Sequence, residues 1–375
     1  MAERYRQVER VGFGSRLASS FVSVFVGLIL FLGSFWLLFW NEGRVNLAQV
    51  ATGAIEISPL GSPSAPLGSL VSLTGPITSN ELLGDNLFLR PGPYIAVRRK
   101  AEMYAWEEEK ETRTQEEFGG SEVRETIYTY TKVWTENPED SSRFYRSSEH
   151  VNPPMAFSSQ LFRVSQAQIG NYRIGMQDLQ IETPYAVPLE PQTLIPGIPA
   201  RVEGSYVFKG RGTLANPQIG DMRTSYTALY SGTQVTVFGR LATPNSLESY
   251  LGPRSIRFYR LFASDRFAAI ERLAAEHNAL TWILRFVGFL MMWIGADSFF
   301  VPLHTMLSIF PFLSGLGRSM TRVVTFFIAL VLTGTTILVS SIVHNPVALL
   351  LCLGVAGVFI LNVLGRRPRR QVAGF

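Results

Sequence analysis

The segment from Ser19 to Trp40 is the sequence feature that most constrains this fold. It contains about 22 consecutive residues without a charged side chain, and a helix needs ~20 apolar residues to cross the hydrocarbon core of a bilayer. A secretory signal has a shorter apolar region, of ~7–15 residues, followed by small residues at its cleavage site. Here the run ends in Trp40, Asn41 and Glu42. We therefore interpret it as a retained transmembrane helix.

The composition agrees with a membrane protein. Hydrophobic residues make up 47% of the chain and charged residues 17%, and the apolar material is concentrated towards the two ends. The formal net charge is +5, but the basic clusters flank apolar segments, where arginine sets topology and meets anionic headgroups. This pattern favours membrane lipid over nucleic acid as a partner. Arginine greatly outnumbers lysine, a skew typical of a bacterial source.

Four apolar segments are predicted to span the membrane, one before and three after a large domain. The predicted spans are 19–40, 279–301, 323–343 and 346–364. The link His344-Asn345 is so short that the last two spans must form an antiparallel hairpin. The leader 1–18, the linker 302–322 and the tail 365–375 are basic and are therefore predicted to be cytoplasmic, which places both termini inside the cell.

Residues 41–264 are predicted to form a β-rich domain on the other side of the membrane. This compartment is the periplasm of a bacterial inner membrane, or the lumen of the endoplasmic reticulum and nuclear envelope in a eukaryote. Two aromatic strands are predicted on either side of a long acidic tip, Glu108–Glu122. A proline-rich interval, 183–199, is predicted to divide the domain into two lobes. An amphipathic helix, 265–278, with an N-cap near Asp265, leads into the second span. The predicted fold class is an α + β membrane protein.

Aromatic residues recur with one parity on each of the two long strands. Such residues pair across a sheet and stabilise it, or else they form a surface for a partner. The residues concerned are Tyr104, Trp106, Tyr128, Tyr130 and Trp134.

Polar and small residues inside the apolar segments form a second group of candidates. Arg285 and Asp297 are about 18 Å apart along one helix, so they cannot pair with each other. Each is expected either to extend to its own interface or to form a buried polar site, and Asn362 is a further intramembrane polar residue. Candidate small residues for helix packing are Gly288, Gly295, Gly354 and Gly357.

Short motifs throughout the chain resemble the transmembrane protein 43 family, also called LUMA. They include Asn41-Glu42-Gly43-Arg44 after the first span, Glu102-Met103-Tyr104 and Glu125-Thr126 in the strands, Gly220-Asp221 with Arg223, and Thr281-Trp282 with Leu284-Arg285. The resemblance covers nearly the whole chain. It implies a multi-span protein of internal membranes that binds envelope partners and self-associates, and it implies no catalytic residues.

No pattern indicates an enzyme, a cofactor or a metal. The four histidines are dispersed without metal-ligand spacing, and there is no phosphate-binding or nucleophile motif. The sequence therefore favours a non-enzymatic membrane scaffold that forms homo-oligomers and binds partners through its β-rich domain. The alternative is an oligomeric conduit for ions or small solutes, lined by Arg285, Thr333–Thr336 and Asn362.

Overall fold

A computed structural model of the chain describes residues 3–61, 64–309, 311–352 and 354–355, without the side chains of 253 and 311–316. Within the described residues the named α-helices are α1 Phe13–Glu42, α2 Leu47–Thr52, α3 Arg266–Ser298, α4 Val301–Leu307 and α5 Pro311–His344, and residues 346–352 are also helical. Three of them, α1, α3 and α5, are long and apolar enough to cross a membrane, within the described ranges. They contain the predicted spans 19–40 and 323–343 and most of 279–301, and α3 also includes nearly all of the predicted amphipathic helix 265–278. Most of the fourth predicted span, 346–364, lies outside the described residues.

The strands are short apart from one hairpin. They are β1 Glu3–Val11, β2 Ile55–Ile57, β3 Leu70–Thr78, β4 Tyr94–Glu116, β5 Glu122–Thr135, β6 Gln160–Arg163, β7 Gln166–Ile169, β8 Tyr172–Gly175, β9 Gln180–Ile181, β10 Tyr185–Ala186, β11 Arg201–Glu203, β12 Tyr206–Lys209, β13 Met222–Tyr230, β14 Gln234–Thr243, β15 Ser246–Glu248, β16 Tyr250–Leu251, β17 Arg257–Phe258 and β18 Arg260–Phe262.

The chain forms two compact units. The β-rich unit contains Met1–Gln7, Asn46–Arg113 and Glu125–His277. The helical unit contains Val8–Val45, Thr114–Arg124 and Asn278–Phe375.

Five strands of the β-rich unit close into a barrel. The pairings run β3–β7–β8–β15–β14 and return to β3, and only β8 and β15 are parallel. In chain order the ring reads first, second, third, fifth, fourth, which is a five-stranded Greek-key barrel of the OB type. Its interior is filled by apolar side chains that include Leu73, Ile169, Ile174, Val237 and Leu247, all at most 2% exposed.

The second sheet contains the long hairpin. Its strand order is β1–β5–β4–β13–β12–β11. The predicted acidic tip, Glu108–Glu122, is largely strand, because β4 continues to Glu116 and β5 begins at Glu122. Alternating Glu, Thr and Arg side chains suit a solvated strand as well as a loop. The charge run therefore did not indicate a strand in the sequence.

The basic leader is a strand of this sheet. Within the β-rich unit, the Tyr5 hydroxyl donates to Glu149 at 2.6 Å, and His150 Nε2 lies 3.1 Å from a Glu3 carboxylate oxygen. Residues 3–7 of the leader are therefore part of the β-rich unit.

The proline-rich interval does not separate two lobes. It lies inside the β-rich unit, where β10 pairs with β13 and Val187 and Leu194 are buried in a core with Phe88. Its apolar residues bind it to the sheet, although its prolines limit it to short elements such as β10.

Candidate functional site

The helical unit contains a polar junction where α1 ends beside α3. The Asn41 amide donates to the Thr281 carbonyl oxygen at 3.1 Å. Arg44 donates to the Asn41 side-chain oxygen at 3.1 Å and to the Thr281 hydroxyl at 2.9 Å. The motif that follows the first span thus binds the motif that begins the second.

An ion pair completes the junction. Arg285 donates from Nε and Nη2 to the two oxygens of Glu42, each at 2.8 Å. The Glu42 side chain is only 7% exposed, and it also accepts a 3.1 Å hydrogen bond from the Ser341 hydroxyl of α5. Arg285 lies in the middle of α3, and its guanidinium is paired within the chain with the last residue of α1.

Helix α5 packs against Gly43 of the same motif. A Cβ at Gly43 would overlap the imidazole ring of His344. The Ser340 hydroxyl donates to the Phe39 carbonyl oxygen at 3.1 Å. All four residues Asn41–Arg44 therefore contribute to contacts among α1, α3 and α5.

Two candidate packing glycines lie where α1 approaches α3. A Cβ at Gly288 would lie 2.6 Å from Leu38 Cδ2, and a Cβ at Gly295 would lie 2.7 Å from the Gly27 carbonyl oxygen. Such close approach requires residues without a side chain at these positions. Gly354 has open space around it, whereas Gly357 and Asn362 lie outside the described residues.

The opposite end of the same helices carries a second charged cluster. Arg16 of α1 pairs with Glu116 at 2.7 Å and with Glu122 at 3.0 Å, and it is 8% exposed. Arg318 of α5 also pairs with Glu116, at 2.6 Å. The hairpin tip and the linker were predicted on opposite sides of the membrane. That prediction is wrong, because charges 2.6 Å apart cannot be separated by a bilayer.

Asp297 lies near this second cluster and not near Arg285. Its Oδ2 is 3.7 Å from Arg322 Nε. Its Oδ1 is buried and has no hydrogen-bond partner within the part of the chain that the structure describes.

The aromatic candidates are divided between the core and the surface of the β-rich unit. Tyr128 and Tyr130 are buried, and the Tyr130 ring stacks on His150 at 3.7 Å. Burial and a hydrogen bond to Glu108 raise the pKa of Tyr130 to about 12. These two tyrosines do not form a partner surface, which corrects that interpretation for them.

The other three aromatics are partly exposed and carry cations on their faces. Tyr104 lies 5.2 Å from Trp134, Arg223 lies 4.6 Å above Trp134, and Lys132 lies 4.5 Å above Trp106. Arg223 is held by Glu102 at 2.7 Å.

The Gly220-Asp221 motif organises a loop. The Asp221 carboxylate accepts from the backbone N–H groups of Arg211, Gly212 and Gln218 at 2.7–3.0 Å. Gly220 has φ of +91°, a conformation that favours glycine. The motif therefore has a structural role within this loop.

Sequence reasoning missed a buried charged cluster around Asp85. Its carboxylate accepts from the Tyr226 hydroxyl at 2.5 Å, from Arg99 at 3.2 Å and from three backbone N–H groups of the following loop. Burial favours the neutral acid, but these hydrogen bonds prevail and lower the pKa of Asp85. The only sequence signal was the pattern Gly84-Asp85-Asn86, which predicts a turn and not a buried acid.

No group of three or more metal-ligating side chains occurs among the described residues. The charged side chains of the junction, of the Arg16 cluster and of the Asp85 cluster bind one another or backbone groups.

The fold and these junctions define a class: an integral membrane protein with a β-rich domain and a bundle of apolar helices joined by polar residues. The sequence profile of the Transmembrane protein 43 family matches residues 103–346, and the chain belongs to this family.

Similar proteins extend along the whole chain. It is 29% identical to human Transmembrane protein 43 over 384 residues, which covers 96% of this chain and 94% of the human protein. The rat protein is 30% identical over 390 residues, with the same coverage. The Drosophila melanogaster homolog is 27% identical over 339 residues, covering 86% of this chain and 88% of the homolog. No solved structure matches the chain significantly.

Proposed function

We propose that the chain is a non-enzymatic membrane scaffold, anchored by its helical unit and presenting its β-rich unit to protein partners. The main support for this proposal is that the buried charged side chains bind other groups of the chain. Glu42, Arg16, Asp85 and Asp221 each have two or more partners that fix a helix contact or a loop. A catalytic acid or base instead needs access to a substrate.

The partly exposed aromatics supply the proposed partner surface. Tyr104, Trp106 and Trp134 lie beside Arg223 and Lys132, and tryptophan, tyrosine and arginine are enriched at the centres of protein interfaces. The surface is therefore suited to an apolar partner segment with acidic flanks.

Self-association is the second part of the proposal. Gly334 of α5 has no atom within 4 Å of a Cβ built on it. Small residues on apolar helices allow close approach of a neighbouring helix, so this face of α5 is suited to a second copy.

The basic end of the helices is proposed to face the cytoplasm. Arg16, Arg318 and Arg322 are concentrated there, as the positive-inside rule requires, and the hairpin tip is bound to the same end through Glu116. In a bacterium the membrane would be the inner membrane.

A photo-crosslinking amino acid tests the partner surface in cells. It is placed at Lys132, which lies above Trp106, and as a control at Leu60, which is 73% exposed in the same unit. We expect a discrete adduct from position 132 and none from position 60. Equal or absent adducts at both positions would contradict the surface.

Two further measurements test self-association and the scaffolding role: the mass of the intact protein and ion flux through reconstituted vesicles. Native mass spectrometry of the full chain should show an oligomer that Gly334→Leu weakens. A strictly monomeric wild type would contradict self-association, and ion flux through reconstituted vesicles above that of empty ones would contradict a purely scaffolding role.

A further inference from the structure

A polar cavity of about 370 Å³ opens at the Arg16 end of the helical unit. It lies among the first turns of α1, the hairpin tip, the end of α3, α4, and the part of α5 that carries Arg318 and Arg322. Its walls include four arginines and three carboxylates, so one positive charge is in excess.

Arg16 forms the closed side of this cavity. Besides its pairs with Glu116 and Glu122, it donates to the Gly120 carbonyl oxygen at 2.6 Å and to the Ser308 hydroxyl at 3.1 Å. Its donors are used to hold the hairpin tip against the helices. Arg124 likewise pairs with Glu122 at 2.8 Å. The remaining arginines of the wall are Arg318 and Arg322.

Arg318 and Arg322 are one helical turn apart on α5, and both line the cavity. Like charges at this spacing repel each other. Arg318 is bonded to Glu116 through Nη2, while Arg322 reaches its nearest carboxylate, Asp297, only at 3.7 Å. Their side chains are 38% and 60% exposed. An anion placed between the two guanidinium groups would relieve the repulsion and accept their remaining N–H donors.

The position of the cavity indicates where that anion comes from. Exposed apolar side chains follow the cavity-lining residues directly along both helices, with Phe21 62% and Val323 57% exposed. The cavity thus lies where an apolar span meets its polar flank, which is the level of lipid headgroups. A headgroup there can bind the arginines while its acyl chains lie along α1 and α5.

We propose that this cavity is a binding site for the phosphate of an anionic glycerophospholipid, held by Arg318 and Arg322. One negative headgroup charge offsets the one positive charge in excess. The site depends on insertion of the helices in a membrane and not on the proposed scaffold function.

Native mass spectrometry of the full chain in detergent tests the proposal. The probes are phosphatidylglycerol, phosphatidylcholine with the same acyl chains, and soluble glycerol 3-phosphate. We expect wild-type protein to retain phosphatidylglycerol at least tenfold better than phosphatidylcholine. Arg318→Gln with Arg322→Gln should reduce this retention roughly tenfold or more. The matched control is Arg240→Gln with Arg272→Gln, two paired arginines of the β-rich unit, which should retain the wild-type preference.

Arg322→Gln alone provides a second variant, because it leaves the Arg318–Glu116 pair intact. It should lower phosphatidylglycerol retention roughly fivefold. Unchanged retention in this variant, or equal retention of the two lipids by wild type, would overturn the site. Binding of glycerol 3-phosphate as strong as that of phosphatidylglycerol would overturn its assignment to a lipid.

Discussion

Arg285 of α3 and Glu42 of α1 are joined by two parallel hydrogen bonds of 2.8 Å, although 243 residues separate them in the chain. This geometry is the strong, two-point form of an ion pair. It fixes the rotation of α3 about its axis relative to α1, because the guanidinium fork accepts one orientation of the carboxylate.

Removing one partner of this pair should destabilise the helical unit. Glu42→Gln or Arg285→Gln each leaves an uncompensated charge or donor in a largely desolvated place, and each should lower the free energy of unfolding by about 3 kcal/mol. The double variant should lose less than the sum, since neither charge then remains alone. Thermal and denaturant unfolding of the purified chain measure this.

The exposed pair Arg240–Glu248 is the control, since both side chains are about half exposed. Arg240→Gln should change stability by only about 0–1 kcal/mol. Additive losses in the Glu42 and Arg285 variants would show that the pair is not coupled.

Gly295→Leu should separate α1 from α3. Any Cβ at Gly295 meets backbone atoms of Gly27 and Phe31 at 2.7 Å, and backbone cannot rotate away as a side chain can. We expect a lower melting temperature in detergent. Gly14→Leu is the control, because no atom lies within 4 Å of a Cβ there. A melting temperature of Gly295→Leu equal to that of Gly14→Leu would contradict the contact.

The ion pairs of Glu116 predict that the hairpin tip and the start of α5 are on one side of the membrane. In a Cys352→Ser background, new cysteines at Phe118, which is 86% exposed, and at Ser319 should react with an impermeant thiol reagent under the same conditions. A cysteine at Asn345, beyond the other end of α5, should react from the opposite side. Labelling of positions 118 and 319 from opposite sides would exclude the Arg318–Glu116 pair.

Asp85 should make stability depend on pH in the acid range. Because its pKa is lower in the folded chain than in the unfolded one, its contribution is complete above the unfolded value of ~3.9 and is lost as pH falls through the folded value. Asp85→Asn should therefore destabilise the protein by about 3 kcal/mol at neutral pH, and the difference from wild type should shrink below about pH 4.

Tyr226→Phe gives an independent check on that cluster, since the Tyr226 hydroxyl donates to Asp85. It should lower stability by about 1–2 kcal/mol and move the acid transition of wild type to higher pH. A constant difference between Asp85→Asn and wild type from pH 3 to pH 7 would show that Asp85 has an ordinary pKa.

Local patterns in the sequence predicted local structure well. The Asp265 cap is present, since its carboxylate accepts from the Ala268 N–H at 2.8 Å, and the apolar runs became α1, α3 and α5. Each of these features depends on residues a few positions apart.

The predictions that did not match the structure involve contacts between segments that are far apart in the chain. Strand β1 has mostly exposed, charged side chains, so it has no apolar period to detect, and its place in the sheet is set by hydrogen bonds to a strand more than 100 residues away. The same holds for Arg16 with Glu116 and Glu122, whose pairing reversed the expected placement of the hairpin tip.

The sequence by itself determined the membrane class, the family, the apolar helices and the β-rich character of the region between them, because hydrophobic length and period act over short stretches of chain. Only the tertiary structure decided which charges meet. An ion pair depends on distances of a few ångströms between side chains from remote segments, and a linear pattern carries no such distance. Glu42 with Arg285 and the arginines around the cavity are therefore properties of the packed helices.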